Sequence, residues 1–371
     1  MDKIQRFRNF DTIRLVAAAS VIFSHAFLIA EGHEKNEPFV RATGYIIGIY
    51  GVCVFLIISG YLVTHSLRTS SSLRSFAWKR FLRIYPALFA CAVFVAFIIA
   101  PFFSQSTPRD YLLSLQGVKY VAKILLLYDV QEIKSVQFYQ QGPDWLGPMI
   151  NGSLWTIVSE VYCYILLFIF AALELVILPI AMFGLLAGTG LFAILLSGWL
   201  PLSGVSENLL YTVPSFCAGV AMYLLHGRFK LSRNVAIGFA IVLLLAAPTG
   251  WLLVLFPILA AYPVIYFGLS NIRWVKDATK FGDLSYGTYL YGWPVEQVVR
   301  GVIGPSVSGW TLCLISLPIA VACGWASWHL VEKHALSLKG LVSKTASLAN
   351  PQASGAISSR PEAKIPHSRR D

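Results

Sequence analysis

Of the 371 residues, 57% are hydrophobic and only 13% charged, about half the charged share of a soluble domain. The apolar residues fall in long runs, which excludes a soluble chain and points to an all-α polytopic helix bundle in a lipid bilayer. The formal charge of +11 is no nucleic-acid signature, because the basic residues lie between the apolar runs, where cytoplasmic loops are basic.

Hydropathy predicts about ten spans, near residues 12–30, 44–64, 84–103, 153–173, 175–197, 207–225, 234–249, 251–269, 282–303 and 308–331. The small-residue stretch Ala17-Ala18-Ala19-Ser20 lies in the middle of the first run, so that run reads as a retained span and not a cleaved signal. Charge fixes the direction. Lys3, Arg6 and Arg8 precede span one, and Arg68, Arg74, Lys79, Arg80 and Arg83 lie between spans two and three. Arg228, Lys230 and Arg233 follow span six, Arg273, Lys276 and Lys280 follow span eight, and the end of the chain is basic. The opposite loops carry only Lys35, Arg41, Arg109, Lys119, Lys123 and Lys134. This asymmetry predicts that both termini are cytoplasmic. Residues 1–337 read as the transmembrane domain and 338–371 as a flexible basic cytoplasmic tail without a core.

In span one, Arg14 and His25 are eleven residues apart, which places them on one helix face roughly 16 Å apart along the axis. Asp11 is within pairing distance of Arg14. Ionisable groups inside a span face the protein interior and are functional by default, and histidine suits proton transfer near neutral pH. The bland reading of His25 is a structural histidine bonded to a neighbouring helix. Span two contains Ser59-Gly60, which permits close helix approach.

Arg80 and Arg83 stand at the cytoplasmic mouth of span three, a spacing that suits phosphate groups; positive-inside bias alone also accounts for such charges. In the segment 104–152, the stretch Tyr120–Tyr128 is too short to cross and contains Lys123, so it lies on the membrane surface or re-enters the protein.

Glu160 falls two turns inside span four and needs a partner. It orients His25, binds an acceptor hydroxyl, or pairs with an arginine. Trp155 and Tyr162 suit an interfacial belt or sugar stacking, and Asn151-Gly152-Ser153 fits a glycosylation acceptor. In span nine, Tyr289 and Trp293 share a face, and Glu296 and Arg300, four apart, read as an ion pair. The six cysteines all lie in apolar runs without paired spacing, which argues for buried hydrophobes and against disulfides or a metal site.

Together these stretches resemble the acyltransferase-3 family of bacterial membrane O-acyltransferases. The matches run in order: Asp11-Thr12-Ile13-Arg14 with His25, Phe55–Leu62, Arg80–Pro86, Ser153–Tyr162, Ser285–Pro294, and Ser327-Trp328-His329-Leu330-Val331-Glu332-Lys333. The resemblance implies a ten-helix core that takes acyl groups, commonly acetyl, from cytoplasmic acyl-CoA, with no tightly bound cofactor. The acceptors it implies are hydroxyls of lipopolysaccharide, exopolysaccharide or lipid-linked saccharides at a bacterial inner membrane. It assigns the functional pair of span one to Arg14 and His25. The chain departs from the family pattern at Gly292, where members often carry His before Trp-Pro, and at His334, where proline often follows Glu-Lys. No further domain is expected after the last span.

The resulting expectation is catalysis by His25, Arg14 and Glu160, donor binding by Arg80 and Arg83, and an acceptor lined by Trp155, Tyr162, Tyr289 and Trp293. The rival class is a transporter or flippase for a lipid-linked sugar or small solute, which would share the many spans and buried charges.

Overall fold

Long runs of Leu, Ile, Val, Ala and Phe broken by Gly, Pro and Ser clusters produce helices here, because a backbone in hydrocarbon must satisfy its own hydrogen bonds. A computed structural model describes residues 8–128, 132–138, 147–198, 207–270 and 281–341. Ten helices of at least 14 residues dominate them: α1 (Arg8–Glu31), α2 (Ile47–Arg68), α3 (Leu73–Phe94), α4 (Trp155–Ala172), α5 (Leu178–Leu196), α6 (Glu207–Leu225), α7 (Arg233–Ala246), α8 (Leu252–Leu269), α9 (Ser285–Ile303) and α10 (Gly309–Ser327). Each overlaps one of the ten expected spans, but α3 begins at Leu73 and not near 84, so Arg80 and Arg83 lie within the helix and not at its mouth. No β-strand occurs among the described residues beyond three isolated bridges.

Eight of these helices are long and apolar enough to cross a bilayer; α7 and α9 are the exceptions. Helix α7 is short, reaching 17 residues only with its final turn to Thr249. Helix α9 is long enough, but carries Tyr286, Tyr289, Tyr291, Glu296, Gln297 and Arg300, all buried inside the bundle. A helix enclosed by other helices does not face lipid, so its polarity is set by what its neighbours can match.

Local signals set the helix ends. Ser72 caps α3 by accepting from the Ser75 amide, and Ser308 caps α10 by accepting from Thr311. Helix α3 continues through a π-helical turn, Val95–Ile99, and a 3₁₀ turn, Ala100–Phe102. Helix α10 continues through a π-helical turn, Trp328–Glu332, and ends at Gly340, further than the expected limit near 331. Its end docks on α3, where Trp78 Nε1 donates to the Leu338 carbonyl at 3.1 Å. The expected tail 338–371 therefore starts too early, since Leu338–Gly340 forms a 3₁₀ turn that continues α10; its remainder from 342 onward lies outside the described residues.

Between α3 and α4 the chain forms two short helices, Pro108–Leu113 and Gln116–Leu125. The second spans about 15 Å and does not cross. It buries Tyr120, Val121 and Ile124 while Lys119 and Lys123 stay exposed. Tyr111 Oη donates to the Ala96 carbonyl at 3.0 Å, tying this segment to the end of α3.

Packing is closest where side chains vanish. A Cβ on Gly60 of α2 would lie 2.1 Å from the Phe216 carbonyl of α6, and one on Gly219 of α6 would lie 2.0 Å from the Ile57 carbonyl of α2. The two backbones therefore touch, as small residues allow in membranes.

Gly219→Ala should lower the stability of the detergent-solubilised protein by about 1–3 kcal/mol, since neither backbone can yield cheaply. Gly190→Ala in α5, where nothing lies within 4 Å of the added Cβ, is the control. Thermal unfolding followed by circular dichroism would read this, and equal midpoints for the two variants would refute the close contact.

Candidate active site

Helix α9 organises the interior. Residues three or four apart on one helix share a face, and Asp283, Tyr286, Tyr289, Trp293 and Glu296 follow that spacing. The stripe runs from the Arg14 end of the bundle to the His25 end.

At the Arg14 end, Asp283 lies just before α9 and its Oδ1 accepts from the Ser285 hydroxyl at 2.6 Å. Its Oδ2 meets Arg83 of α3 at 2.5 Å and Arg14 of α1 at 3.7 Å. Arg83 also reaches Glu332 at 3.6 Å, and Ser327 donates to the other oxygen of Glu332 at 3.0 Å. These charges are nearly enclosed, with side-chain exposures of 3–15%. Arg80 differs. It donates to Ser66 at 3.2 Å and lies over the rings of Tyr164 and Phe76, with no carboxylate within 4.0 Å among the described residues. The Nε atoms of Arg14 and Arg80 are buried without an acceptor. Such spare cationic donors suit an anion.

At the other end, His25, Trp155, Tyr289 and Trp293 line one cavity of about 250 Å³. Their placement comes from a second polar segment, residues 149–156. Tyr289 Oη donates to the Ser153 carbonyl at 3.0 Å, and Trp293 Nε1 to the Met149 carbonyl at 3.3 Å. Pro294 cannot donate to the Leu290 carbonyl; Asn151 Nδ2 takes that carbonyl at 3.1 Å and Cys91 Sγ at 3.4 Å. Asn151 is 1% exposed, so its role is structural and the glycosylation reading fails.

His25 packs edge-on against Trp293, with ring centroids 4.8 Å apart. Its Nδ1 faces Glu296 Oε2 at 4.0 Å. Glu296 is fully buried, and neither carboxylate oxygen has a hydrogen-bond partner; His25 Nδ1 has none either. The expected Glu296–Arg300 pair is absent. Arg300 instead donates to the carbonyls of Ile29, Ala30 and Gly304, because the unsatisfied C-terminal carbonyls of α1 claim the guanidinium.

Two other expectations change. Glu160 does not orient His25: Ser59 donates to it at 2.9 Å, and Tyr164 donates to the same oxygen. It borders a narrow space of about 40 Å³ with Phe55, Thr156, Tyr286 and Tyr289, which shares Tyr289 and Val52 with the His25 cavity. Tyr162 is 51% exposed and does not line the cavity. It is two residues from Glu160, which turns it about 200° away from the inward face of α4. The pair of Arg14 with Asp11 that the spacing suggests gives way to Asp283 as the partner seen.

A model of the family described as "Acyltransferase domain" matches residues 7–329. The chain belongs to the acyltransferase-3 family. It is 29% identical to the O-acetyl transferase of Shigella phage Sf6 over 351 residues, 88% of this chain and 96% of that one. It is also 33% identical to nodulation protein 10 of Rhizobium leguminosarum bv. viciae over 163 residues, 43% of this chain and 42% of that one. No solved structure matches. The protein is thus a multi-pass membrane O-acyltransferase, and the transport reading gives way.

A Cβ on Gly292 would meet Ile22 of α1 at 2.7 Å. Among the described residues lining the cavity, His25 is the one histidine. Sequence reasoning missed Asp283, gave Glu296 the wrong partner, and read Asn151-Gly152-Ser153 as a glycosylation acceptor where the structure uses the segment to hold Tyr289 and Trp293. Asp283 carried a signal: an acidic residue two before Ser285 is a helix-start pattern.

Asp283→Ala should destabilise the protein by about 3–5 kcal/mol, because it strands two enclosed guanidinium groups. Adding Arg14→Ala should cost less than the sum of the two single changes. Strict additivity in chemical or thermal unfolding would show that the two residues are not coupled.

Proposed function

We propose that this O-acyltransferase moves an acyl group, acetyl in the simplest case, from cytoplasmic acyl-CoA to a hydroxyl of a cell-surface glycan or lipid-linked saccharide in a bacterial inner membrane. The observation that carries it is the division of the interior. A basic end (Arg14, Arg80, Arg83) and an aromatic histidine chamber lie along one helix, α9. The charge asymmetry of the loops supports placing the basic end, and both termini, on the cytoplasmic side. The relative named an O-acetyl transferase supports an acetyl group and an oxygen acceptor.

CoA carries phosphates at one end and its thioester at the tip of a long flexible arm. Arg80 and Arg14, with buried unpaired N–H groups, hold the phosphates. The arm enters along Tyr286, Phe55 and Tyr289 toward the chamber. Arg14 thus serves the donor, since it lies about 16 Å along α1 from His25. Glu160, hydrogen-bonded to Ser59 and Tyr164, lines the passage.

In the chamber, Nδ1 of His25 faces Glu296, leaving Nε2 as the base. Nε2 takes the proton of the acceptor hydroxyl as its oxygen bonds to the thioester carbonyl carbon. The tetrahedral adduct collapses, the C–S bond breaks, and the imidazolium returns the proton to the CoA sulfur. A 4.0 Å gap to Glu296 closes by a small ring rotation as the imidazolium forms, which stabilises that charge in a dry site. Trp293 limits the rotation by packing against the ring.

His25→Ala should abolish transfer of labelled acetyl from acetyl-CoA while the protein accumulates and unfolds normally; wild-type rates in that variant would remove His25 from the chemistry. Arg80→Gln should instead raise the acyl-CoA KM about tenfold or more with a smaller change in kcat. A loss confined to kcat would place Arg80 elsewhere in the mechanism.

A further inference from the structure

The His25 cavity has a second set of polar residues at its mouth, contributed by parts of the chain outside the core motifs. Glu34 comes from the loop after α1, and Asn208 and Tyr211 come from the first turns of α6. Three glutamates stand at the end of α1 and in that loop, and two are used by the fold. Glu31 accepts from Asn36 at 2.5 Å and lies 3.5 Å from the Gly309 amide. Glu37 is fully buried and accepts from the amides of Val40 at 2.9 Å and Ile47 at 3.2 Å. Glu34 is the glutamate that lines the cavity. Partial burial, reinforced by the nearby Glu37 carboxylate, raises its pKa from the ordinary glutamate value.

Across the opening, Tyr211 donates its hydroxyl proton to Asn208 Oδ1 at 2.6 Å. This fixes the amide orientation and leaves the Nδ2 group of Asn208 to donate to a ligand. The Tyr211 ring stands at 90° to Trp155, with centroids 6.4 Å apart, and so braces that indole as a wall of the cavity. A sugar ring has hydroxyls around its edge and patches of C–H on its faces. An aromatic wall matches the C–H face, while a carboxylate accepts two neighbouring hydroxyl protons and an amide N–H meets a third oxygen.

We propose that Glu34, Asn208 and Trp155 form an acceptor subsite for an uncharged hexose residue, with an adjacent pair of its hydroxyls on Glu34. This rests on the acyltransferase reading above and adds the charge class of the acceptor to it. A sugar carboxylate at this position meets the Glu34 carboxylate directly, because no Lys, Arg or His nitrogen among the described residues, those of His33, Lys35 and Arg41 in the same loop included, lies within 4.0 Å of it. Like charges brought together out of water repel strongly, so the subsite selects by rejection as well as by fit. Loss of the paired hydroxyls leaves buried polar groups unmatched, which penalises a deoxy acceptor as well.

The test uses the purified full chain in detergent with radiolabelled acetyl-CoA, a panel of methyl hexopyranosides and the matching methyl hexopyranuronides. Wild-type protein should acetylate at least one neutral glycoside with kcat/KM about tenfold or more above its uronide, a difference of about 1.4 kcal/mol. Glu34→Gln keeps an oxygen acceptor but removes the charge. It should lower efficiency on the neutral sugar, raise it on the uronide, and bring the two within about threefold. Glu34→Ala should raise the KM of the neutral sugar more than it lowers kcat. Equal use of the two sugar classes by wild type, or a ratio unmoved by Glu34→Gln, overturns the subsite while leaving the acyltransferase reading intact. Transfer to neither class, with the same null result for His25→Ala, overturns the saccharide acceptor itself, and the subsite with it.

Discussion

Asp283 carries two arginines from two different helices. Arg14 of α1 and Arg83 of α3 both lean on its Oδ2, and Arg83 also reaches Glu332 beyond α10. In a bilayer no water is at hand to solvate these charges, so each must be matched inside the protein. That requirement brings the first half of α1, the middle of α3, the start of α9 and the segment that follows α10 together. Once Asp283 is fixed there, helical spacing determines what α9 presents along its length: Tyr286 beside Arg83, Tyr289 at the passage, Trp293 and Glu296 beside His25. The register of a single buried helix therefore aligns the basic end with the chamber.

The two ends are built differently. At the basic end the carboxylates are engaged, and unpaired donors remain on Arg14 and Arg80. At the chamber end the reverse holds, with an unpaired carboxylate, Glu296, facing an unpaired imidazole nitrogen. Unsatisfied buried groups are costly in a resting protein and mark places where a ligand or a charge arrives during function. On the proposed mechanism, a donor bearing phosphates would meet the first deficit and a proton taken by His25 the second.

Much of this was legible in the sequence. All ten expected spans are helical, and eight of them are long and apolar enough to cross, because segments in lipid must satisfy their own backbones. Arg14, His25, Trp155, Tyr289 and Trp293 were singled out as polar or aromatic residues within spans, and Arg80 and Arg83 as a basic pair at the mouth of span three; the fold sorts them into two groups. What the sequence could not supply was the pairing between distant segments. Glu160 and Glu296 look alike as lone carboxylates in apolar runs, and only packing reveals that Ser59 and Tyr164 occupy the first while His25 faces the second. Local spacing misled at Arg300, since the competing partners, the last carbonyls of α1, come from more than 250 residues away. Tyr162 was misplaced by its nearness in sequence to Glu160, although helical geometry turns it outward.

The central claim is that donor and acceptor reach one histidine from opposite sides of the membrane. Sealed vesicles containing the protein test it directly, with labelled acetyl-CoA trapped inside and a membrane-impermeant neutral glycoside supplied only outside. The account predicts acetylated glycoside in the external medium while CoA stays within, and loss of that product in the His25→Ala variant. Product formed only when donor and acceptor share a compartment would contradict it.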